Sequence, residues 1–535
     1  MQPAHAFEST HATRGVVAAP HQLAAEVGRD VLAEGGNAIE AMVAAAAAIA
    51  VVYPHMNHLG GDGFWLIREP TGRVRYIEAC GFAGAHASIS HYRDMGLEAV
   101  PTRGPLAALT VPGAVGGWRL ALEAAQALGG HMSLPRLLEP AVRFAREGVA
   151  VSASQARLTA EKKAELEHVP GFAAAFLPGG AVPAVGALQR QARLGDTLDH
   201  LARAGLDDFY RGDVGREMAA DLDGIGSPVT RTDFETYQPV ARAPLAVKLP
   251  RAQLFNAPPP TQGLASLLIL AQFARLGVTE AEGFAHVHGL VEATKRAFMV
   301  RDRVVCDFDH LTEDPGALLA PAAVDTLASG IDMRRALPWP QGRAGGDTVW
   351  LGAADASGVV VSYIQSIFFE FGSGCVLGGT GVLMQNRGAS FSLDPKARNP
   401  LRPGRKPFHT LNPAMAVFPD GRVLAYGTMG GEGQPQTQAA VFSRYGLFGV
   451  PLAEAIARPR WLLGRTWGDV ETRLRLEPRF QEGLVERLSA AGHDLSVVPD
   501  AYSDLMGHAG GVVLHPRGQI EGAHDPRSDG GAAGA

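Results

Sequence analysis

A threonine that opens a strand directly after a glycine-rich break is a candidate N-terminal nucleophile. The stretch Gly-Gly-Asp-Thr-Val-Trp at residues 345–350 has this form. An N-terminal nucleophile supplies both a hydroxyl and an α-amine, and cleavage between Asp347 and Thr348 would create that pair on one residue. The alternative is a β-branched residue that simply begins a strand. The six residues alone favour this alternative, so the choice depends on the rest of the chain.

The elements around Thr348 are predicted to hold it at the start of a β-hairpin. Apolar, β-rich runs lie on both sides of the sequence Asp-Ala-Ser-Gly at residues 355–358, which is a turn signal. Upstream, residues 329–346 are rich in Arg, Gly and Pro and have no periodicity. We interpret them as an exposed processing segment that ends at Asp347.

A second glycine-rich unit, residues 426–438, has the pattern of a strand, a tight turn and a helix. Such a turn presents backbone N–H groups at a helix N-terminus, where they stabilise developing negative charge. Gly430 and Gly431 are the candidate donors. An ordinary tight turn explains the segment equally well when it is considered alone.

Other polar clusters favour structural roles. His55, His58 and Asp62 suggest a metal site, but the glycine-rich loop around them fixes no common ligand face and better fits a close backbone crossing. Glu292, with Lys295 and Arg296 on the same predicted helix, is more typical of structural ion pairs than of catalysis.

Further helices are predicted in the N-terminal half of the chain. Residues 21–51 indicate two helices separated by Gly35-Gly36-Asn37, which suits a C-cap followed by a new N-cap. The Ala-rich run of residues 41–53 is too short to cross a bilayer and is predicted to be a buried helix. Residues 134–222 form a predicted accessory helical lobe.

Composition excludes several classes of function. A net charge of −6 provides no electrostatic basis for binding nucleic acid or an anionic membrane. The three cysteines are far apart and match neither a metal site nor a disulfide framework. The N-terminus lacks a basic region followed by an apolar one, so we predict no signal peptide and a cytoplasmic protein.

Several motifs occur in the order that is typical of the gamma-glutamyltransferase family of N-terminal nucleophile hydrolases, and the chain resembles that family nearly from end to end. They are Gly35-Gly36-Asn37, Val111-Pro112-Gly113, Pro258-Pro259-Pro260, Asp347-Thr348, Phe371-Gly372-Ser373-Gly374, Gly427-Thr428-Met429-Gly430-Gly431 and Asp525-Pro526-Arg527-Ser528-Asp529-Gly530. The resemblance implies an α/β fold, a four-layer αββα sandwich with a helical lobe. It also implies a proenzyme that cuts itself into a large subunit, residues 1–347, and a small subunit, residues 348–535.

The family's catalytic roles correspond to residues that are present here. Thr348 corresponds to the nucleophile, and its freed α-amine would be the base because an α-amino group titrates near pH ~8. Gly430 and Gly431 correspond to the oxyanion-hole glycines. Ser366 corresponds to a second hydroxyl residue that holds the nucleophile. Self-cleavage would be attack of Thr348 Oγ on the Asp347 carbonyl.

The substrate-binding positions differ from those of the true transferases. Ile77 replaces the arginine that grips the substrate α-carboxylate, and Phe368 and Ser390 replace the Asn and Asp that hold the α-ammonium. Arg387 replaces a glutamine, and His409-Thr410 replaces a pair of serines. We therefore expect an amide with a carboxylate but no adjacent ammonium, which Arg387 would bind in a fork. The alternative for Arg387 is a structural ion pair.

Within the family, the chain is most similar to the oxamate amidohydrolase branch, so oxamate is a candidate substrate. The motifs that carry this similarity are Tyr-Pro-His-Met-Asn at residues 53–57, Ile364-Gln365-Ser366, Gln385-Asn386-Arg387-Gly388 and Gly433-Gln434-Pro435-Gln436-Thr437-Gln438. The alternatives are a gamma-glutamyl transferase or hydrolase for glutathione-type substrates, a cephalosporin-acylase-like enzyme, and an uncleaved binding protein. The mechanism implies no metal and no organic cofactor. The expected partners are a small amide and the two subunits of one precursor, and homo-oligomerisation stays open.

Overall fold

The computed structural model describes residues 7–339, 347–464 and 472–535. Most of its strands are short, and the longest belong to the central hairpin. In chain order they are β1 (Thr10–Ala12), β2 (Gly15–Ala19), β3 (Asp62–Arg68), β4 (Val74–Ala79), β5 (Val149–Ala150), β6 (Leu188–Gln189), β7 (Val240–Arg242), β8 (Leu245–Lys248), β9 (Gln253–Asn256), β10 (Asp347–Asp355), β11 (Val360–Phe368), β12 (Ala414–Val417), β13 (Val423–Thr428), β14 (Trp461–Leu463), β15 (Leu474–Leu476), β16 (Leu495–Val497), β17 (Ala509–Leu514), β18 (Ile520–His524) and β19 (Gly531–Gly534).

The helices are concentrated before residue 330. In chain order they are α1 (Gln22–Ala33), α2 (Ala38–Val52), α3 (Ile89–Asp94), α4 (Ala114–Ala127), α5 (Leu134–Glu147), α6 (Ala153–Leu166), α7 (Phe172–Phe176), α8 (Ala192–Ala204), α9 (Asp208–Arg211), α10 (Asp213–Ile225), α11 (Arg231–Thr236), α12 (Gly263–Phe273), α13 (Phe284–Val304), α14 (Pro315–Leu318), α15 (Pro321–Ser329), α16 (Gln434–Phe442), α17 (Leu452–Ala457) and α18 (Leu484–Ala490).

Two antiparallel sheets form the centre of the molecule. The first sheet has the order β19-β2-β10-β11-β3-β4-β7, and the second has the order β1-β18-β17-β13-β12-β9-β8. Each sheet combines strands from both sides of Asp347. The strands β14, β15 and β16 make a small separate sheet, and β5 pairs with β6.

Three apolar clusters define the layers. One packs α1 and α2 on the outer face of the first sheet, and another packs α12, α13 and α16 on the outer face of the second. The third lies between the two sheets and includes Phe64, Trp350, Ile364 and Val512. The resulting order of helix, sheet, sheet and helix confirms the predicted αββα sandwich.

The two predicted N-terminal helices are present, with the break where the sequence places it. Asn37 caps α2, its side chain accepting from Ile39 N and Glu40 N, while Glu40 bonds back to Asn37 N as a capping box. All residues of α2 are buried. The helical lobe packs on α2 through α5, so α2 lies between the lobe and the sheet. A helix buried on every side explains its Ala-rich sequence.

The hairpin that begins at Thr348 is confirmed as β10 and β11. Asp355 organises its turn, since Oδ1 accepts from Ser357 N at 2.9 Å and from Val359 N at 3.2 Å. The other oxygen, Oδ2, accepts from Ala38 N at 2.7 Å, which ties the turn to the start of α2. The hairpin is therefore fixed to the outer helix layer at its far end.

Part of the predicted processing segment, residues 340–346, lies outside the described residues. The part that is described, residues 331–339, contacts α13 through Leu337, whose N–H donates to Glu292 Oε2 and whose carbonyl accepts from Lys295 Nζ. Among the described helices, none has the length and apolar content needed to cross a membrane.

Candidate active site

Thr348, Ser366 and Asp62 occupy one row across three neighbouring strands. Ser366 pairs with Asp62 between β11 and β3, and a bulge after Asp347 brings Val349 opposite Gln365. Side chains alternate along a strand, and residues two positions away in each strand belong to the cluster between the sheets. The three polar residues therefore face the space between the sheets, at one end of the hydrophobic cluster that lies there.

Gln434 holds the Thr348 hydroxyl. Gln434 is the first residue of α16, and its Nε2 donates to Thr348 Oγ1 at 3.3 Å. Its Oε1 accepts from Asn412 N at 3.2 Å, which fixes the side-chain amide from the opposite end. Only 1% of Thr348 is exposed. The candidate nucleophile is thus buried and oriented by the second sheet's helix before any cleavage.

Ser366 shapes the chain next to Thr348. Its Oγ accepts from Phe368 N at 2.8 Å. Phe368 has a φ of 81°, which is rare for a residue other than glycine and costs conformational energy. Because Phe368 pairs with Asp347, this turn sits beside the proposed scissile bond. The strained backbone of Phe368 therefore lies next to the proposed cleavage site.

The Gly430-Gly431 turn follows β13 and leads into α16. Both residues have left-handed φ values, 115° and 53°, which a side chain would disfavour. Among the described residues, neither N–H donates to a backbone carbonyl outside its own helical turn. Buried N–H groups are normally paired, so two unused donors at a helix start fit a site for an oxyanion.

A buried network holds this turn in place. Gln262 Nε2 donates to the carbonyls of Gly431 and Thr410, each at 2.8 Å. Gln262 Oε1 accepts from Arg301 Nη1 at 3.1 Å, and Arg301 Nη2 donates to Glu432 at 3.0 Å. The turn is therefore fixed through residues that do not themselves face Thr348.

Arg387 lies in a short 3₁₀ turn, Arg387–Ser390, and is 1% exposed. Its guanidinium carbon is 3.9 Å from the centre of the Phe368 ring, and Nη1 donates to Thr410 Oγ1 at 3.2 Å. Nη2 has no partner among the described residues. Burial lowers the pKa of Arg387, and Asp62 opposes this shift. A buried cation with an unused donor is a candidate anion-binding group.

Ser390 and His409 have different surroundings. Ser390 Oγ lies 3.0 Å from the carbonyl oxygens of both Arg387 and Phe408, which share its single proton, and the residue lines a pocket of ≈ 430 Å³. His409 is fully buried, and neither ring nitrogen has a hydrogen-bond partner in the described residues. Burial, with the charges of Arg387 and Lys406, keeps the pKa of His409 well below its usual value. His409 is therefore neutral at pH 7.

Asp62 is a buried carboxylate in the same region. Its Oδ1 accepts from the N–H groups of Gly81, at 3.1 Å, and Gly113, at 3.0 Å. Its Oδ2 has no hydrogen-bond partner among the described residues and lies 3.6 Å from His409 Nε2. Burial raises the pKa of Asp62 to about 7, although a hydrogen bond from the Gln385 side chain and the charge of Arg387 act in the opposite direction.

Ile77 lies away from these groups. It belongs to the cluster between the first sheet and the outer helices. On the inner side of the same strand, the buried Glu78 pairs with Arg242 at 3.2 Å and with Lys406. The strand that carries Ile77 therefore offers no free cation to the site.

The one group of metal-ligating side chains that lie close together in the described residues is His288, Glu292 and His493. Their lone pairs are already used, since His493 Nε2 bonds His288 Nδ1 at 2.8 Å and Lys295 Nζ donates to Glu292 at 2.7 Å. His288 Nε2 bonds the carbonyl of Asp332 at 2.9 Å. These contacts form a closed hydrogen-bonded chain and do not fit a resident metal.

The structure brings together most residues singled out from the sequence. Thr348, Ser366, Gly430, Gly431, Arg387, Thr410 and His409 belong to one region joined by Phe368, Gln262 and Gln434. Sequence reasoning missed the positioning roles of Gln262 and Gln434, and it considered Asp62 only as a weak metal ligand. The two glutamines sit beside Pro- and Gly-rich turns, but nothing in their spacing shows that they meet across the sheets.

Comparison with known proteins agrees with this architecture. The family model described as gamma-glutamyltranspeptidase matches residues 24–535. The chain is 52% identical to the oxamate amidohydrolase proenzyme of Klebsiella pneumoniae, covering 98% of this chain and 99% of that protein. It is 39% identical to the glutathione hydrolase-like YwrD proenzyme of Bacillus subtilis, covering 98% and 99%.

A solved structure resembles the whole chain. Cephalosporin acylase from Bacillus halodurans superposes with a TM-score of 0.92 at 30% identity, covering 100% of this chain and 98% of that one. The sandwich, the match over nearly all residues and these relatives agree. The chain belongs to the gamma-glutamyltranspeptidase family of N-terminal nucleophile hydrolases and is an enzyme of that family.

Proposed function

We propose that the chain is a self-processing amidohydrolase. It cuts itself between Asp347 and Thr348 and then hydrolyses a small amide that carries a carboxylate, with oxamate as the lead substrate. The observation that supports this most directly is the buried Arg387 with an unused Nη2, in the region that Phe368 joins to the start of β10. The proposed parts are a large subunit, residues 1–347, and a small subunit, residues 348–535.

Self-processing uses the groups around Thr348. Thr348 Oγ attacks the carbonyl carbon of Asp347, and the peptide nitrogen of Thr348 leaves as its α-amine while an ester joins the two residues. Water then hydrolyses the ester. Gln434 supports this proposal because its hydrogen bond orients the hydroxyl in the uncut chain. Burial of Thr348 at 1% exposure explains why the substrate site becomes usable only after cleavage.

Turnover repeats the attack on an external amide. The free α-amine of Thr348 takes the hydroxyl proton as Oγ bonds to the substrate carbonyl carbon, and it passes that proton to the leaving nitrogen. For oxamate the leaving group is ammonia. The N–H groups of Gly430 and Gly431 would stabilise the tetrahedral oxyanion. Water then attacks the ester, and oxalate leaves with Thr348 restored.

Arg387 supports a carboxylate-bearing substrate. One guanidinium nitrogen donates to Thr410, and the other is free to donate to the substrate. A charge-assisted hydrogen bond in a buried site is among the stronger polar contacts. The similarity to the Klebsiella oxamate amidohydrolase over 98% of the chain supports the same choice.

Asp62 favours a second candidate function. Its unpartnered Oδ2 could receive a substrate ammonium, which would suit a gamma-glutamyl substrate bound to Arg387 through its carboxylate. The similarity to the glutathione hydrolase-like protein of Bacillus subtilis is compatible with this candidate. Oxamate is the better choice because Asp62 is buried and its neighbour His409 is neutral. Both conditions disfavour the ionised carboxylate that an ammonium group would need.

Turnover measurements separate the two candidates. Fully processed protein is incubated with oxamate or with glutathione, and released ammonia or glutamate is followed at matched concentrations. The proposal expects release of ammonia from oxamate at a kcat/KM at least about 100-fold above that for glutathione, because an unpaired buried ammonium costs several kcal/mol. Preferred turnover of glutathione would make the gamma-glutamyl candidate correct.

A further inference from the structure

Asp62 and Arg387 form a pair of buried opposite charges that do not touch. The described contacts of Asp62 are two backbone N–H groups, the Gln385 side chain and the nearby His409 ring, and those of Arg387 are Thr410 and the Phe368 ring. Each has one polar atom without a partner, Oδ2 and Nη2. A buried ion is tolerated when an opposite charge compensates it. In the empty site, each of these residues is the other's compensation.

A substrate carboxylate changes this balance. When it binds Arg387, it takes over the role of counter-charge, and the site then holds two anions for one cation. Two buried carboxylates near one cation cannot both remain ionised without a large cost, so one of them takes a proton. The substrate carboxylate is stabilised by direct contact with the guanidinium, whereas Asp62 Oδ2 has no donor among the described residues.

We propose that Asp62 takes up a proton from solvent when the substrate carboxylate binds Arg387. This proton uptake selects a carboxylate-bearing amide that has no adjacent ammonium group. This inference rests on the proposed function and deepens it. The proton adds to Oδ2, which then points a hydroxyl donor at His409 Nε2, 3.6 Å away in the empty site. Asp62 is thus a positioning and specificity residue, distinct from the groups that bond to the reacting carbon.

The other titratable groups around Asp62 do not change charge near neutral pH. Tyr363 is on β11 and Tyr210 on α9, and the others follow β4 or α11 or lie in the chain between β11 and β12; these others are Cys80, Tyr237, Arg387 and His409. Burial raises the pKa of the Cys80 thiol and of the three tyrosine hydroxyls, so these stay neutral. His409 stays neutral because burial and nearby cations lower its pKa.

More distant charges are already paired. Lys406, which acts on His409, is bonded to the buried Glu78, and Glu78 also pairs with Arg242. Burial lowers the pKa of Arg387 but leaves it a cation at pH 7. Asp62 is therefore the described side chain near Arg387 whose charge is free to change between pH 6 and 8. In the processed enzyme the α-amine of Thr348, which titrates near pH ~8, is a second such group.

Calorimetry on the processed wild-type enzyme tests the proton uptake directly. The probe is pyruvate, in which a methyl group replaces the amide nitrogen of oxamate, titrated at pH 8 in two buffers with different ionisation enthalpies. Processed Asp62→Asn is titrated in the same way, and its proton uptake, which comes from the Thr348 α-amine, is subtracted. The expected result is uptake of about one proton per bound pyruvate, and a Kd that weakens by about tenfold per pH unit above pH ~7. Binding without proton uptake, or no binding of pyruvate, would overturn the inference.

Asp62→Asn provides the second test, with Asp420→Asn as a control that removes an exposed carboxylate far from the site. The Asn side chain imitates the protonated carboxyl, so KM for oxamate in Asp62→Asn should be nearly flat from pH 6 to 8, while the control follows the wild type. An Asp62→Asn enzyme that processes itself yet keeps the wild-type pH slope would contradict the inference. So would one that no longer binds pyruvate.

The two proposals fail in different ways. If oxamate is not hydrolysed but pyruvate binds with proton uptake, the proposed function is wrong and the coupling of Asp62 to Arg387 is correct. If oxamate is hydrolysed with a pH-independent KM, the proposed function holds and the coupling is wrong. If glutathione binding depends on Asp62 and takes up no proton, Asp62 acts as an ammonium ligand and the inference is wrong.

Discussion

At the scale of single residues, the proposed choice of substrate depends on Arg387. Its neighbours are a ring, a hydroxyl and one open direction, with no carboxylate in contact. The sequence left open a structural ion pair for Arg387. Its described contacts include no such pair. The unused Nη2 supports our proposal that Arg387 binds a substrate carboxylate.

Arg387→Lys is expected to lower kcat/KM for oxamate by about 10- to 100-fold, since a charge-assisted hydrogen bond is worth about 1.5–3 kcal/mol. Lysine keeps the charge but cannot stack on Phe368 and bond Thr410 in the same planar geometry. Steady-state kinetics on oxamate measures the loss. Arg402→Lys, at an exposed position, is the matched control. Equal values of kcat/KM in the two variants would contradict a role for Arg387 in substrate binding.

Asp62 makes stability depend on pH. Its folded pKa of about 7 lies above its ordinary value of 3.8, so the native state binds the extra proton between these values. The contribution of Asp62 to the free energy of unfolding is fully present below pH ~4. It is lost as the pH rises towards 7, by up to about 1.4 kcal/mol per pH unit. Asp62→Asn should therefore raise Tm at pH 8 more than at pH 5. Thermal melts at both pH values check this, and an equal change at both would contradict it.

Sequence reasoning identified the residues whose types carry chemistry and missed those that act by position. Thr348 and the Gly430-Gly431 turn have local signatures, so they could be predicted. Gln262 and Gln434 are polar residues near turns, and their importance comes from meeting Gly431 and Thr348 across the sheets. Asp62 was considered only as a metal ligand, and that possibility was disfavoured, because the contacts that bury its carboxylate come from residues distant in the sequence.

At the scale of elements, α13 anchors the chain ahead of the proposed cut. Glu292 and Lys295 are both buried, and they hold Leu337 by its N–H and its carbonyl, ten residues before Asp347. The prediction that these charges are structural is confirmed by their pairing with each other and with Arg296. The proposed scissile bond is the first peptide bond of β10, so it follows the anchored Leu337 by ten residues.

Lys295→Ala should destabilise the protein by about 1–3 kcal/mol, because Glu292 loses a buried partner but keeps Arg296. The released Leu337 should also slow self-cleavage. Denaturant unfolding and the cleaved fraction over time measure the two effects. Lys248→Ala, an exposed lysine on β8, is the control. Cleavage at the wild-type rate despite the lost stability would show that Leu337 does not position the scissile bond.

Helix caps and the hairpin turn could be predicted because their signals are local. Asn37 with Glu40, and Asp355 with Gly358, act within a few residues. The pairing of β10 with β2, and of β1 with β18, could not be predicted, since it joins residues hundreds of positions apart. The stacking of the helical lobe on α2 depends on the same long-range packing.

At the scale of the whole molecule, both sheets are shared between the two sides of the proposed cut. In the first sheet, β10 and β11 lie between β2 and β3, and β19 extends the edge beyond β2. In the second, β8 and β9 from the first part pair next to β12 from the second. Neither part could keep a complete sheet alone.

The processed enzyme is therefore expected to remain one particle. Denaturing electrophoresis should show two fragments, and native mass spectrometry should show them together at the mass of the uncut chain or its multiples. Separation of the fragments in physiological buffer would contradict the shared-sheet account. Agreement would also explain why the new N-terminus of Thr348 stays inside the sandwich.

The central claim is that the chain cleaves its own peptide bond before Thr348 and so frees the α-amine of the nucleophile. Intact-mass spectrometry of freshly purified and aged protein, under denaturing conditions and beside Thr348→Ala, tests it most directly. The account predicts two fragments that meet between Asp347 and Thr348 in the wild type and a whole chain in the variant. A wild-type chain that stays whole, a cut elsewhere, or equal cleavage of the variant would contradict it.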